Sequence, residues 1–363
     1  MATKINEYIP SVVFHPGETL AEKLEEIGMG PKEFAVRTNK PEKTIHAVLK
    51  GTSNITPEMA VLFEQVLKIP AHFWLNRQLS FDEWQAREEL SVKLEAAQTW
   101  AKAFPYSDMV KNGWIAAQST IAHKAKELFA FFNVSNQQAW EEIYYNQQLK
   151  VAFRISLAHT KEPHALSAWL RKGELQATEL PSTPYNEKDF KEILPDLKKI
   201  MANHPKNFFS LLQEICLHVG VKVVHTPCIN KAPISGCTRW VKENPLIQLS
   251  GRYKRNDSFW FTFFHEVGHI LLHGKKDIFL EDIDYSEKDL VKENEADQFA
   301  VKWTLSEEEE DIIMQNTFLT EDEIIAYAEQ FETHPAIIIG RLQRKKVIPY
   351  SIGRNFIEPI QFD

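Results

Sequence analysis

Apolar positions recur at spacings of three and four along most of this chain, the cadence of amphipathic helices. In GETLAEKLEEIG, Leu20, Leu24 and Ile27 fall on one face. PKEFAVRTN and PEKTIHAVLKG open with Pro31 and Pro41, at positions where a missing N–H loses no helical bond, and the second ends at Gly51. Thr56 is placed to cap TPEMAVLFEQVLKI, with Pro57 at its first helical position. The helical pattern continues from 79 to about 200, rich in aromatics; Pro163 opens PHALSAWLRKGELQA, and ATELPSTPYNEKDF (177–190) is the expected linker. After Pro205 the pattern changes. NFFSLLQEICLHVG reads as a helix, then VKVVH, CTRWV and PLIQLS read as three strands. FHEVGHILLHG (264–274), an acidic segment around 289–303 and two segments over 306–348 return to helix. The expected architecture is mostly α with a small β-sheet. It divides into an all-α domain (1–80), a helical middle region (81–204), an α+β domain (205–305) and a helical tail (306–363).

The composition is that of a globular protein, 44% apolar and 25% charged over 363 residues. The net charge of −8 excludes a globally basic nucleic-acid binder, so any DNA contact must be local. Three cysteines, Cys216, Cys228 and Cys237, are too few and too scattered for a disulfide framework and suit a reducing compartment. The N-terminal stretch has no signal-peptide pattern, and no apolar run is long enough to span a bilayer. A cytoplasmic location is expected.

Two short helices joined by a tight turn make a helix-turn-helix pattern over residues 31–50. Ala35 is small where the helices cross, and Ile45, Val48 and Leu49 form the buried face of the second. That turns Glu42, Lys43, Thr44, His46 and Lys50 outward; with Lys40 they are the candidate DNA contacts. Residues 30–55 hold five basic and two acidic residues, a local positive patch, although residues 1–80 balance at nine of each. A four-helix domain for protein contacts remains the alternative.

In FHEVGHILLHG, positions i and i+4 share a helical face, so His265 and His269 can grip one Zn²⁺ with Glu266 beside it as general base. Leu272 and Lys275 stand where a further Gly and His would be needed for a three-histidine zinc site, so a carboxylate must complete the set. In VKENEADQFA, Glu293 and Asp297 share a face. Glu293 is the chosen third ligand, with Asp297 holding a ligand imidazole and Glu295 kept as the other possible ligand. His273, one turn past His269, is read as lining or supporting the site. His273, Tyr253, Tyr285 and Arg239 are candidate oxyanion donors, and PLIQLS is a candidate cleft edge for an extended substrate.

Residues 13–78, ending in PAHFWLNRQ, resemble the XRE/Cro-type helix-turn-helix of HigA-like antitoxins, which implies binding of a double-stranded operator, usually as a homodimer. Asn39-Lys40-Pro41 stands where that family usually has Gly-Leu-Ser. Residues 218–304, through SGCTRWVKENPLIQLSGRYKRNDSFWFTFFHEVGHILLHG and ENEADQFA, resemble the ImmA/IrrE-type metallo-endopeptidases. That resemblance implies a gluzincin-like zinc peptidase whose target is a repressor protein. The expected function is a DNA-binding regulatory zinc endopeptidase. The alternative is a HigA-like repressor or antitoxin whose metallopeptidase-like domain senses or binds a partner without cutting.

Overall fold

The computed structural model describes residues 12–147, 162–274, 279–280, 287–316 and 319–362. The chain forms two compact units, one ending at Ala96 and one beginning at Ala97.

The first unit is all helix: α1 (Pro16–Glu26), α2 (Pro31–Arg37), α3 (Glu42–Leu49), α4 (Pro57–Leu67) and α5 (Ala71–Ala96). Thr56 caps α4 through its side chain, as its position implied. Pro41 lies just before α3, which starts at Glu42. Leu20, Phe34, Ile45, Val48, Phe63 and Trp74 are all fully buried in one core. The α2–α3 turn depends on Asn39 at φ 50°, a left-handed position that Asn tolerates better than most residues. Lys40 N–H then bonds Ala35 O (3.0 Å) and Asn39 N–H bonds Val36 O (3.1 Å), closing the last carbonyls of α2. Asn therefore does here what glycine commonly does at a helix end. α5 runs unbroken past residue 80, because nothing from 71 to 96 is Gly or Pro.

The second unit starts with short helices α6 (Gln98–Lys102), α7 (Tyr106–Lys111), α8 (Ile121–Phe132) and α9 (Gln137–Trp140), knit by edge-to-face contacts among Trp100, Phe104 and Trp140. Helices α10 (Pro163–Glu179), α11 (Glu187–Glu192), α12 (Leu194–Asn203) and α13 (Phe208–His218) lead to the sheet. Its strands are β1 (Lys222–His225), β2 (Gly236–Val241), β3 (Asn244–Leu249) and β4 (Phe279–Leu280), in the order β1-β3-β2-β4. β1 runs parallel to β3; β2 runs antiparallel to both β3 and β4. Helices α14 (Asn256–His273), α15 (Glu287–Thr304), α16 (Glu307–Met314), α17 (Glu321–Gln330) and α18 (Pro335–Arg344) complete the unit. Ser306 and Glu309 form the capping box of α16.

Strand alternation sorts the sheet into two faces. Val223, Ile247 and Leu249 face the large core with α13 and α14, whereas Val224 and Leu246 pack on Ala177 of α10. The expected linker at 177–190 is instead tied down: Asn244 Nδ2 donates to Thr183 O (2.6 Å), and Ser182 Oγ donates to Asn244 Oδ1 (3.0 Å). Likewise α10, assigned from sequence to the middle region, is stitched to the sheet. Trp169 Nε1 donates to Thr226 O (2.9 Å) and Gln248 Nε2 donates to Trp169 O (2.7 Å). The helix that carries the histidines lies at the centre of this unit: every residue from Thr262 to Ile270 is buried. No helix among the described residues is long and apolar enough to cross a membrane.

Candidate metal centre

The site is built from α14 and α15. Gly268 and Ala296 set their closeness. A Cβ on Gly268 would come within 3.1 Å of Phe299 Cβ and 3.2 Å of the Ala296 Cα. With both residues small, the carboxylates of α15 reach the imidazoles of α14.

Three groups converge. His265 Nε2 lies 2.9 Å from His269 Nε2, and Glu293 oxygens lie 3.2 Å and 3.5 Å from these two nitrogens. The outer ring nitrogens decide what the inner ones are. His265 Nδ1 is 2.9 Å from Asp297 Oδ1, and a carboxylate accepts, so this Nδ1 carries the proton. His273 Nε2 is 2.9 Å from Glu295 Oε2, and His273 Nδ1 is 3.0 Å from His269 Nδ1. With its Nε2 donating to Glu295, His273 accepts at Nδ1 from His269. Both inner Nε2 atoms are then lone-pair acceptors, and they face one another and a carboxylate. Three acceptors without a proton among them are the donor set of a cation. His265, His269 and Glu293 are also the described group of residues whose potential ligand atoms all lie within 4.8 Å of one another. Burial, and then the neighbouring His265 and His273, hold the His269 pKa well below the usual histidine value, so this imidazole is neutral, as metal ligation needs.

Glu295 is therefore drawn to His273 rather than to the convergence point. Helical spacing already puts Glu295 on a different face of α15 from Glu293 and Asp297; that this face meets His273 is set by the packing of α15 on α14. Glu266 is fully buried, roughly 100° around α14 from His265. It faces β2: Thr238 Oγ1 donates to Glu266 O (3.0 Å), and a Cβ on Gly236 would fall 2.5 Å from Glu266 Oε1 and 2.7 Å from Thr262 Cγ2. Gly236 was not singled out in the sequence, since a lone glycine before a strand carries no distinguishing mark. Its mutation to Ala should overpack this wall by about 1–3 kcal/mol and displace the Glu266 carboxylate. The thermal unfolding midpoint should fall; an unchanged midpoint would contradict the packing.

Two sequence expectations are corrected. Arg239 is not an oxyanion donor, because alternation along β2 turns it to the α10 face, where it is paired with Glu174 (3.2 Å) and bonded to Leu170 O. PLIQLS is not a cleft edge. β3 pairs along its length with β1 on one side and β2 on the other, so its backbone has no open edge for a substrate strand. Tyr253 is half exposed and lines a cleft described below; Tyr285 lies outside the described residues. Cys216 and Cys237 are buried free thiols whose pKa values burial pushes up.

In the first unit, Lys43, His46 and Lys50 of the α3 segment are exposed and Thr44 is half-buried. Glu42 pairs with His46 at 3.5 Å. Lys40 stands apart: its ammonium donates to Glu58 (2.7 Å) and its side chain is only 18% exposed.

These features define a two-part protein, a helix-turn-helix unit followed by an α+β domain of the metallopeptidase class. Residues 216–342 match the peptidase M78 family, IrrE N-terminal-like domain. The N-terminal region is similar to the uncharacterized HTH-type transcriptional regulator YddM of Escherichia coli strain K12, 30% identical over 77 residues, which make up 21% of this chain and 82% of that protein. It is also similar to an addiction module antidote protein of the HigA family from Coxiella burnetii (31% identity, 23% of this chain and 91% of that one, TM-score 0.22). A further similarity is to the Pseudomonas aeruginosa antitoxin HigA solved with the higBA promoter (25% identity, 22% of this chain and 86% of that one, TM-score 0.21). The chain belongs to the helix-turn-helix transcriptional regulators and carries an IrrE N-terminal-like domain of the M78 metallopeptidase family.

Proposed function

We propose that this protein is a cytoplasmic transcription regulator that is also a zinc-dependent endopeptidase, acting on a repressor or partner protein. The observation that carries the reading is the convergence of His265 Nε2, His269 Nε2 and a Glu293 oxygen, next to the fully buried Glu266. His265, His269 and Glu293 would hold the metal, which when bound supplies Lewis acidity toward a carbonyl and lowers the pKa of a water. Glu266 takes the proton of the attacking water and returns it to the leaving amine. Asp297 keeps His265 in the tautomer whose Nε2 is a ligand, and the His273–Glu295 pair does the same for His269. The phenylalanines of α14 surround these groups with apolar matter, which strengthens each charge interaction inside.

The full chain purified from zinc-replete cells should carry one equivalent of zinc by mass spectrometry and should cleave the repressor encoded beside it. A chain with no zinc, or cleavage indifferent to a chelator, overturns the reading.

The helix-turn-helix unit would place this activity on operator DNA, as a homodimer. Lys43 and Lys50 are the exposed cations of the α3 segment and are assigned to phosphates. In a gel-shift titration against salt with a duplex from the protein's own promoter, Lys43→Ala and Lys50→Ala should each weaken binding and reduce the salt slope by about 1. Equal slopes in wild type and variants would remove these residues from the interface.

A further inference from the structure

A cleft of about 560 Å³ opens beside α14, one turn N-terminal to the candidate catalytic carboxylate. Its walls include Arg255, Arg341 and Arg344, with Tyr253 and Tyr350 exposed at the rim and Thr262 at the inner end. Thr262 is shared ground: its methyl sits with Glu266 Oε1 around Gly236. The cleft therefore ends at a residue one helical turn from Glu266.

One cation of the cleft stands without a carboxylate partner. Arg255 is neutralised by a two-point bond to Asp257, Nε to Oδ1 at 2.9 Å and Nη2 to Oδ2 at 2.8 Å. Glu310, only 2% exposed, is shared by Arg341 (3.5 Å) and Lys345. Glu307 and Asp297 also bear on the Arg341 charge, whereas Arg344 has no ion-pair partner among the described residues. Arg344 is held instead over the face of Phe261, 5.4 Å from the ring centroid. An exposed guanidinium laid over a ring and lacking a carboxylate is a ready partner for an anion.

We propose that this cleft is a specificity subsite in which Arg344, backed by Arg341, takes an Asp or Glu side chain of the substrate. This rests on the endopeptidase reading above. Thr262 and Glu266 are one helical turn apart, roughly 5–6 Å. An extended peptide advances about 3.3 Å per residue, so about two residues span that turn and the acidic residue lies at a fixed position beyond them.

The test has two arms. In the first, the zinc-loaded full chain is incubated with a mixed peptide library and the cut sites are sequenced. Asp and Glu should be enriched about tenfold at one fixed position, a preference that Arg344→Lys retains and Arg344→Glu loses or inverts toward Lys and Arg. A wild-type profile without acidic preference, or the same preference in Arg344→Glu, overturns the proposal. In the second arm, zinc-loaded Glu266→Gln protein is titrated into a fluorescein-labelled peptide of alternating Glu and Ala, and into its Gln-for-Glu control. Tighter binding of the Glu peptide that Arg344→Glu abolishes supports the subsite even where no library peptide is cut, an outcome that would sink the endopeptidase reading alone. Equal binding of both peptides overturns the subsite. So does a DNA duplex, rather than the Glu peptide, whose binding depends on Arg344.

Discussion

Glu266→Gln should retain zinc at one equivalent and lose cleavage by about 10²–10⁴-fold, the range a positioned general base supplies. The reasoning is geometric. Glu266 lies on a different face of α14 from the imidazoles, against Gly236, so its carboxylate is not one of the converging ligand groups. Gln is nearly isosteric, so the tight wall at Gly236 stays filled and the fold is preserved. What Gln lacks is the capacity to take up a proton from water. Cleavage of the partner repressor, followed by electrophoresis beside zinc analysis of the same sample, reads both quantities. Equal rates in wild type and variant would remove Glu266 from the chemistry.

Glu293→Ala and Glu295→Ala should separate sharply in metal affinity. Glu293 puts oxygens 3.2 Å and 3.5 Å from the two inner nitrogens, while Glu295 bonds only the distal nitrogen of His273. Loss of a hydrogen-bond partner to a ligand typically costs about 10–100-fold in affinity, and Glu295→Ala, one bond further out through His273, should cost no more than that. Glu293→Ala removes one of three protein donors and should exceed that range, leaving a chain that no longer retains stoichiometric zinc through dialysis. Competition against a chromophoric chelator measures both constants. The reverse order would make Glu295 the ligand and would require α15 to be rotated from the orientation described.

Much of the architecture was readable from the chain. The three strand segments lie within a residue or two of where β-branched runs and the Pro/Gly loop between them placed them, because those signals are local. Caps at Thr56 and Ser306 were readable for the same reason: the partner is three residues away. Longer-range relations were not. The segment 177–190 has the composition of a linker, yet its backbone is bonded to Asn244 more than fifty residues later. Lys40 has the charge and position of a DNA contact, yet Glu58 on α4 takes its ammonium.

The sequence by itself determined which residues share a face. His265 and His269 fall together, and so do Glu293 and Asp297, because the helical repeat is a property of the backbone alone. Only the tertiary structure decided which carboxylate meets which imidazole. That depends on the rotation and depth of α15 against α14, set by the contact of Gly268 with Ala296 and Phe299. It also decided that β3 is interior and that Arg239 faces away, since strand order and sheet face follow from pairings that no local pattern encodes.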